Sequence, residues 1–379
     1  MKIGLAIYNF DPKKGGAERY TYDLAGRLAA KGHEVVVFCA RGTEFPPVKL
    51  IPLKTITYPH WLRNLTFALA HRSALEGHRP DVMLGYGNVL SLDVYQSHGG
   101  VQSIWMEREI ASYGPGGKRG LKPLLLRSSI NQAVQRWIDG YAVRKKQFSR
   151  IVAISDMVRD HMSEHFGIEK DRFDIVYNGV DTVRFSPAAS PPPGPTAVLF
   201  CAGNFRLKGL GPLIRAFARV VDRGKDVRLM VMGRGNRGFY TKMIDEAGLR
   251  DRVDFVGETS RPEDVYRKAH VLAHPTYYDA CSLTTMEAMA SGLPVITTRW
   301  NGACAFVSPE EGFVIDEPDN IDALASAILA LTETDRRTAM GRAARRKMEQ
   351  FTMERNADEM EAVLLRSAAH EDTGDAHDG

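Results

Sequence analysis

The sequence predicts an α/β protein made of two units, each built on a parallel sheet. Three observations carry this. Short apolar runs rich in Val, Ile and Leu alternate with longer stretches of helical periodicity. A proline-rich segment, Ser186 to Pro195, can be neither helix nor central strand and splits the chain near its middle. The length of 379 residues suffices for two domains of ordinary size.

In the first half, Lys2 to Tyr8 reads as a strand, and Ala17 to Ala30 as a helix with Leu24, Leu28 and Ala29 on one side. Gly32 stops that helix, and Glu34 to Cys39 is the next strand. Val48 to Ile51, Val82 to Leu84 and Ile151 to Ile154 follow as strands. Beyond the prolines come Ala197 to Cys201 (strand), Leu210 to Val221 (helix), Val227 to Met232 (strand), Tyr240 to Ala247 (helix) and Val253 to Val256 (strand). Pro262 to Ala269 starts a helix, and Val271 to Ala273 is a strand running into a polar loop. A helix then opens near Ser282 to Thr285 and stops at Gly292, ahead of the buried strand Leu293 to Ile296. Asp322 to Leu331 and Asp335 to Phe351 are the closing helices. The expected domains are 1–180 and 181–352, with 186–197 as linker, 353–370 as an amphipathic last helix and 371–379 as a polar, disordered tail. Two Rossmann-like halves with a cleft between them hold ligands at the carboxyl ends of their strands.

Composition narrows the class. With 44% hydrophobic and 25% charged residues this is a globular chain, and the net charge of +4 is too small to imply nucleic acid. Cys39, Cys201, Cys281 and Cys304 show no metal-binding spacing and read as free thiols of a reducing compartment. No leader pattern and no run of roughly 18 apolar residues is present. The expected location is therefore cytoplasmic.

The most informative stretch is His274 to Thr298, HPTYYDACSLTTMEAMASGLPVITT. Two carboxylates, Asp279 and Glu287, flank a helix start whose backbone amides can receive phosphate. A carboxylate on the following turn can hold ribose or sugar hydroxyls. Carboxylate, anion-seeking helix end and carboxylate together suit a sugar nucleotide. This stretch resembles the signature of the retaining glycosyltransferases of family 4, which are two-domain GT-B proteins. Glu287 to Ile296, EAMASGLPVI, matches the end of that signature residue for residue. The family's first acid is usually Glu where this chain has Asp279, and Ser282 stands where Gly is common. Within the family the likeness is greatest to the lipopolysaccharide-core glucosyltransferases.

The resemblance assigns further residues. Lys208, in Gly203-Asn204-Phe205-Arg206-Leu207-Lys208-Gly209, matches the family's Lys on the donor diphosphate. Arg206 is a looser match to its Arg partner and reads equally as a solvated turn residue. Gly15 and Gly16 open the first helix, where backbone can approach a ligand closely. The family's loop at that place closes over the donor; a plain strand–helix turn is the other reading. His98 fits a His that the family often places near the sugar and the acceptor. Asp93 is read as an acceptor-side acid or as a turn cap. Val176 to Asp181 resembles the family's hinge. The expected catalytic residues are Lys208, Asp279 and His98. The expected donor site is Gly15, Gly16, Arg206, Lys208, Arg234, Asp279, Ser282, Leu283, Thr284 and Glu287.

The resemblance implies that a hexose moves from a nucleotide-diphosphate sugar, UDP by preference, to a glycan or lipid-linked acceptor, with the lipopolysaccharide core as one candidate. No metal-ligand spacing is present, so the expected chemistry is metal-free, with no cofactor beyond the nucleotide-sugar co-substrate. No carboxylate is placed as a covalent nucleophile, which favours front-face attack. Two other classes stay open: a sugar-nucleotide 2-epimerase of similar architecture, and a non-catalytic, membrane-associated sugar-nucleotide binder. Residues 118–150 are basic and interleaved with Leu, Trp and Tyr. They suit an anionic membrane surface at its inner face, a phosphorylated acceptor such as a lipopolysaccharide core, or simply helices packed on the first domain.

Overall fold

The computed structural model describes residues 1–114, 128–145 and 148–374. The chain divides into two compact units. One comprises Met1–Met106 with the described parts of Pro115–Tyr177 and Glu354–Gly379; the other comprises Glu107–Gly114 and Asn178–Met353.

The first unit holds a sheet whose strands run Lys49–Pro52, Glu34–Cys39, Lys2–Ala6, Val82–Gly85, Val94–Ser97, Arg150–Ala153 and Phe173–Ile175. All its pairings are parallel. Their Val, Ile and Leu side chains are buried except for Leu50 and Ile175 on the edge strands, which are half-buried, as continuous apolar runs in a parallel sheet should be. Helix Gly16–Ala30 lays Tyr20, Leu24, Ala25 and Leu28 on the sheet, and Ala357, Met360, Val363 and Leu364 of the last helix, Met353–Gly374, join the same core. Surface ion pairs, Arg27 with Glu354 and Lys31 with Glu361, fasten that helix along its polar side. Such exposed pairs add little beside the apolar stripe.

The second unit repeats the plan, in the order Val253–Gly257, Val227–Gly233, Thr196–Ala202, Val271–His274, Val295–Thr298 and Gly312–Ile315. In chain order this is 3-2-1-4-5-6, the order of dinucleotide-binding folds, all parallel. Helix Leu210–Asp222 shows why these residues fold so: Leu210, Leu213, Ile214, Phe217 and Val220 recur at helical spacing and are fully buried. Each contributes roughly 1.5–3 kcal/mol by burial.

Several elements differ from expectation. The first strand ends at Ala6, with a separate short strand at Asn9–Phe10. The helix expected from Tyr240 begins at Arg237, and the one from Pro262 ends at Tyr266. Helix His60–His78 has no sequence counterpart above because its apolar residues form no single stripe; only Phe67, Ala68 and His71 are buried. Strand Gly312–Ile315 was hidden by its brevity and opening glycine. The proline-rich segment is more than a spacer: Pro187, Pro191 and Pro192 form a wall of a pocket in the second unit. Of the basic stretch, Lys118, Arg119, Leu121, Lys122, Leu124 to Leu126, Arg127 and Lys146 lie outside the described residues. Its described part includes helix Ile130–Lys145, with Ile138, Ala142 and Val143 buried and Trp137 and Ile130 exposed. Among the described residues no helix is long and apolar enough to cross a membrane.

Candidate functional site

In the second unit the strand order reverses between Thr196–Ala202 and Val271–His274, and the loops leaving their carboxyl ends bring two charged side chains together. Lys208 donates from Nζ to Asp279 Oδ2 at 2.6 Å and to the Tyr278 carbonyl at 2.9 Å. Gly209 makes this approach possible. Its φ of +83° is left-handed, and a Cβ there would lie 2.0 Å from the Pro275 carbonyl oxygen. Any side chain at 209 would push the Lys208 loop off the 275–279 loop.

Asp279 is held from three sides. Besides Lys208, His274 Nε2 lies 3.4 Å from its Oδ2, and its backbone N–H donates to the Trp300 carbonyl at 2.9 Å. Burial alone would raise the carboxyl pKa, but the Lys208 charge and the His274 hydrogen bond outweigh it and hold the group well below the usual carboxylate range. His274 is itself pushed down by burial, against the pull of Asp279. An ammonium has three protons to donate, and two of Lys208's are in use. Among the described residues the third has no acceptor.

Helix Leu283–Ala290 opens beside this pair. Ser282 is its N-cap, with Oγ accepting from the Thr285 N–H at 3.3 Å. Asn301 braces the cap: its Oδ1 accepts from Ser282 N at 3.2 Å and its Nδ2 donates to Thr285 Oγ1 at 2.9 Å. Leu283 and Thr284 are half-buried, and their first-turn N–H groups have no acceptor within the helix. One turn on, Glu287 Oε2 accepts from Tyr266 Oη at 2.9 Å. Tyr266 is fully buried, and burial followed by the Glu287 charge raises its pKa far above the phenolic range, so it is a fixed donor.

The remaining sequence-predicted residues are placed as follows. The Arg206 guanidinium is taken up by Glu109 and Ser112 and stacks 3.5 Å over Tyr113, tying the 107–114 segment onto its own unit. Arg234 is exposed and paired with Glu258 at 2.9 Å. In the first unit, Gly15 caps helix Gly16–Ala30 in an extended conformation, and both glycines are exposed. His98 follows strand Val94–Ser97 and packs against Tyr20 and Tyr86, with ring centroids at 4.8 and 5.7 Å. Burial lowers its pKa to about 4. Asp93 Oδ2 accepts from the Met83 N–H at 2.6 Å, a bond back to the neighbouring strand Val82–Gly85. Cys281 is buried and its thiol pushed up by burial, unlike a nucleophile. His274, Tyr266, Asn301 and Glu109 were not singled out from sequence. Only His274 had a visible signal, its place as the last residue of a strand.

Comparison with known proteins agrees with this geometry. The model of glycosyltransferase family 4 matches residues 14–184, and that of the group 1 glycosyl transferases matches 183–347. The chain is 30% identical over 392 residues to the D-inositol 3-phosphate glycosyltransferase of Arthrobacter sp. strain FB24, covering 93% of this chain and 89% of that one. It is 22% identical over 362 residues to the lipopolysaccharide glucosyltransferase WaaG of Escherichia coli K12, covering 91% and 93%. The crystal structure of a WaaG superposes with a TM-score of 0.77 at 21% identity, over 96% of this chain and 99% of that one. Anabaena HepE, solved in complex with UDP-glucose, superposes with a TM-score of 0.71 at 17% identity, over 96% and 99%. Matched along both halves, and related at 30% identity across nearly its whole length, the chain belongs to glycosyltransferase family 4 and is a glycosyltransferase of GT-B fold.

Proposed function

We propose that the protein transfers a hexose from a nucleotide-diphosphate sugar, UDP by preference, to a glycan or lipid-linked acceptor with retention of anomeric configuration. The observation that carries this is the Lys208–Asp279 pair beside the capped start of helix Leu283–Ala290. The free Lys208 proton and the helix amides take the diphosphate as it gains charge. Preorganised donors of this kind need no reorganisation in the transition state. Asp279, held ionised, and Glu287, aimed by Tyr266, take sugar and ribose hydroxyls. His98 stays neutral and serves the sugar or acceptor as a hydrogen-bond partner rather than as a charge.

Asp279 is committed to Lys208, which counts against its use as a covalent nucleophile. Front-face attack follows, with the leaving phosphate taking the acceptor proton and no metal required. UDP is favoured because HepE binds UDP-glucose. An acceptor in the lipopolysaccharide core is supported by the likeness to WaaG, and a peripheral membrane position by exposed Trp137 and Ile130 on helix Ile130–Lys145.

The test is to incubate the purified protein with UDP-, GDP- and ADP-sugars and with heptose-containing, inositol phosphate and lipid-linked acceptors, scoring released nucleotide and product anomer. The expected result is UDP release dependent on one acceptor, with an α-linked product from an α-donor. An inverted product, or a trapped glycosyl-enzyme adduct, defeats the retaining front-face reading. Epimerised donor with no acceptor dependence defeats transfer itself.

A further inference from the structure

A second pocket lies in the same unit, at the other end of helix Leu283–Ala290. Its volume is about 470 Å³, within the range of small-molecule sites. Pro187, Pro191 and Pro192 form one wall and helix Thr334–Met348 another; Ser291 and Gly292, which end helix Leu283–Ala290, also line it. Gly341 lets the long helix sit directly on that turn, since a Cβ at 341 would lie 2.2 Å from the Gly292 carbonyl oxygen.

The lining holds Arg267, Arg337, Arg342, Arg345 and Arg346 against the carboxylate of Glu349. Their duties differ. Arg345 is spent on structure: it donates to the carbonyls of Thr182, Phe185 and Ala290 and pairs with Glu349. Arg267 holds the Arg184 carbonyl and Ser186. Arg337 donates to the carbonyls of Leu331 and Thr332, with no carboxylate partner among the described residues. Arg342 and Arg346, one turn apart on the same helix face, are exposed and have no partner among the described residues. Three guanidinium groups without a counter-charge therefore border a cavity that is apolar on its proline side.

We propose that this pocket is a second ligand site, taking a small phosphorylated molecule: the arginines grip phosphate and the proline wall covers the uncharged body. Guanidinium groups match phosphate oxygens in pairs, in a planar fork that is already preorganised for them. The pocket touches the proposed donor site mechanically. Tyr266 lines it and donates to Glu287, and Arg345 holds the Ala290 carbonyl at the end of the donor helix. Binding here does not depend on the donor reading.

Calorimetric titration of the full chain with fructose 1,6-bisphosphate, a probe lacking a nucleotide base, tests the proposal. One saturable site is expected, weakened at least about tenfold in Arg342→Glu/Arg346→Glu. Arg336→Glu, an exposed position on the same helix outside the lining, should bind as wild type. UDP titrated in parallel should bind both proteins alike; failure of UDP to bind at all counts against the donor reading and leaves this one intact. No saturable binding up to about 10 mM, equal affinity in wild type and the double variant, or an equal loss in Arg336→Glu each overturns the second site.

Discussion

The two units share a strand order and differ at the ends of the strands where that order reverses. In the second unit this place is ionic, with Lys208 and Asp279 paired beside His274 and an N-capped helix. In the first unit the helix after the opening strand, together with the 86–98 region, sets Tyr20, Tyr86, Gln96 and His98 against one another. Burial raises Tyr20 to about 12 and Tyr86 further, and lowers His98 to about 4. That cluster is therefore uncharged at neutral pH. The sheet order reverses in both units, and the loops decide the charge at that place. An ionic place suits a diphosphate, and a neutral aromatic one suits a sugar ring.

The largest effect expected is on the ionic side. Lys208→Ala should lower kcat by about a hundredfold or more, the usual loss for one fixed donor to developing charge. It should also destabilise the second unit, because Asp279 loses its counter-charge. Removing one partner of a fully buried pair costs roughly 3–5 kcal/mol. Both side chains here are about a fifth exposed, so about 2 kcal/mol is expected after solvent screening. The double variant Lys208→Ala/Asp279→Asn separates the two effects: stability should return, measured by urea unfolding, while turnover stays low. His98→Phe in the neutral cluster should cost less than Lys208→Ala. The reverse ranking would break the contrast between the units.

How much of this was legible beforehand follows the same line. The run from His274 to Ile296 announced strand, loop, helix and strand, and Asp279, Ser282 and Glu287 lie where that run puts them. Lys208 was legible because Gly209 follows it, and the left-handed turn at Gly209 brings its ammonium to Asp279. Partners that come from distant segments were not legible. Glu109 reaches Arg206 across 97 positions, and Tyr266 reaches Glu287 from the end of a different helix. Nothing local marks either one. Asp93 is ambiguous in sequence because a carboxylate at a strand end either caps or catalyses; its 2.6 Å bond runs to the Met83 N–H on the neighbouring strand. Helix His60–His78 was missed because it buries a histidine where periodicity looks for an aliphatic residue.

That histidine gives the next effect in size, and it falls on the neutral unit. His71 is fully buried against Phe38, both ring nitrogens lack a hydrogen-bond partner among the described residues, and burial lowers its pKa to about 4 from 6.5. The unfolded chain therefore binds a proton that the folded one refuses. Its contribution is whole above pH 6.5 and is lost as pH falls towards 4. Between pH 7 and 5 the loss is about 2 kcal/mol. His98 adds to it in the same direction. Asp279 behaves differently: its depressed pKa keeps the ion pair until pH falls below the usual carboxylate range. Urea midpoints at pH 7 and pH 5 for wild type and His71→Leu should show a smaller drop in the variant. Equal drops would mean that His71 protonates without cost, against the burial account.

The smallest effect concerns Ser282, where this chain departs from the glycine common in the family it resembles. As an N-cap, Ser282 satisfies the Thr285 N–H and leaves the first-turn amides of Leu283 and Thr284 free for a ligand. Ser282→Ala removes the cap oxygen and should cost about 1 kcal/mol, whereas Ser282→Gly should cost only a few tenths. Turnover should follow a different rule. If the serine works solely as a cap, Ser282→Gly keeps kcat and KM near wild type, because the helix still starts at Leu283 with its first-turn amides in place. If its hydroxyl also touches the donor, glycine and alanine raise KM for the sugar nucleotide together, and stability no longer tracks activity. Thermal unfolding read beside KM for both variants separates these outcomes. A matched rise in KM would move Ser282 from the scaffold of the ionic site into its contact surface.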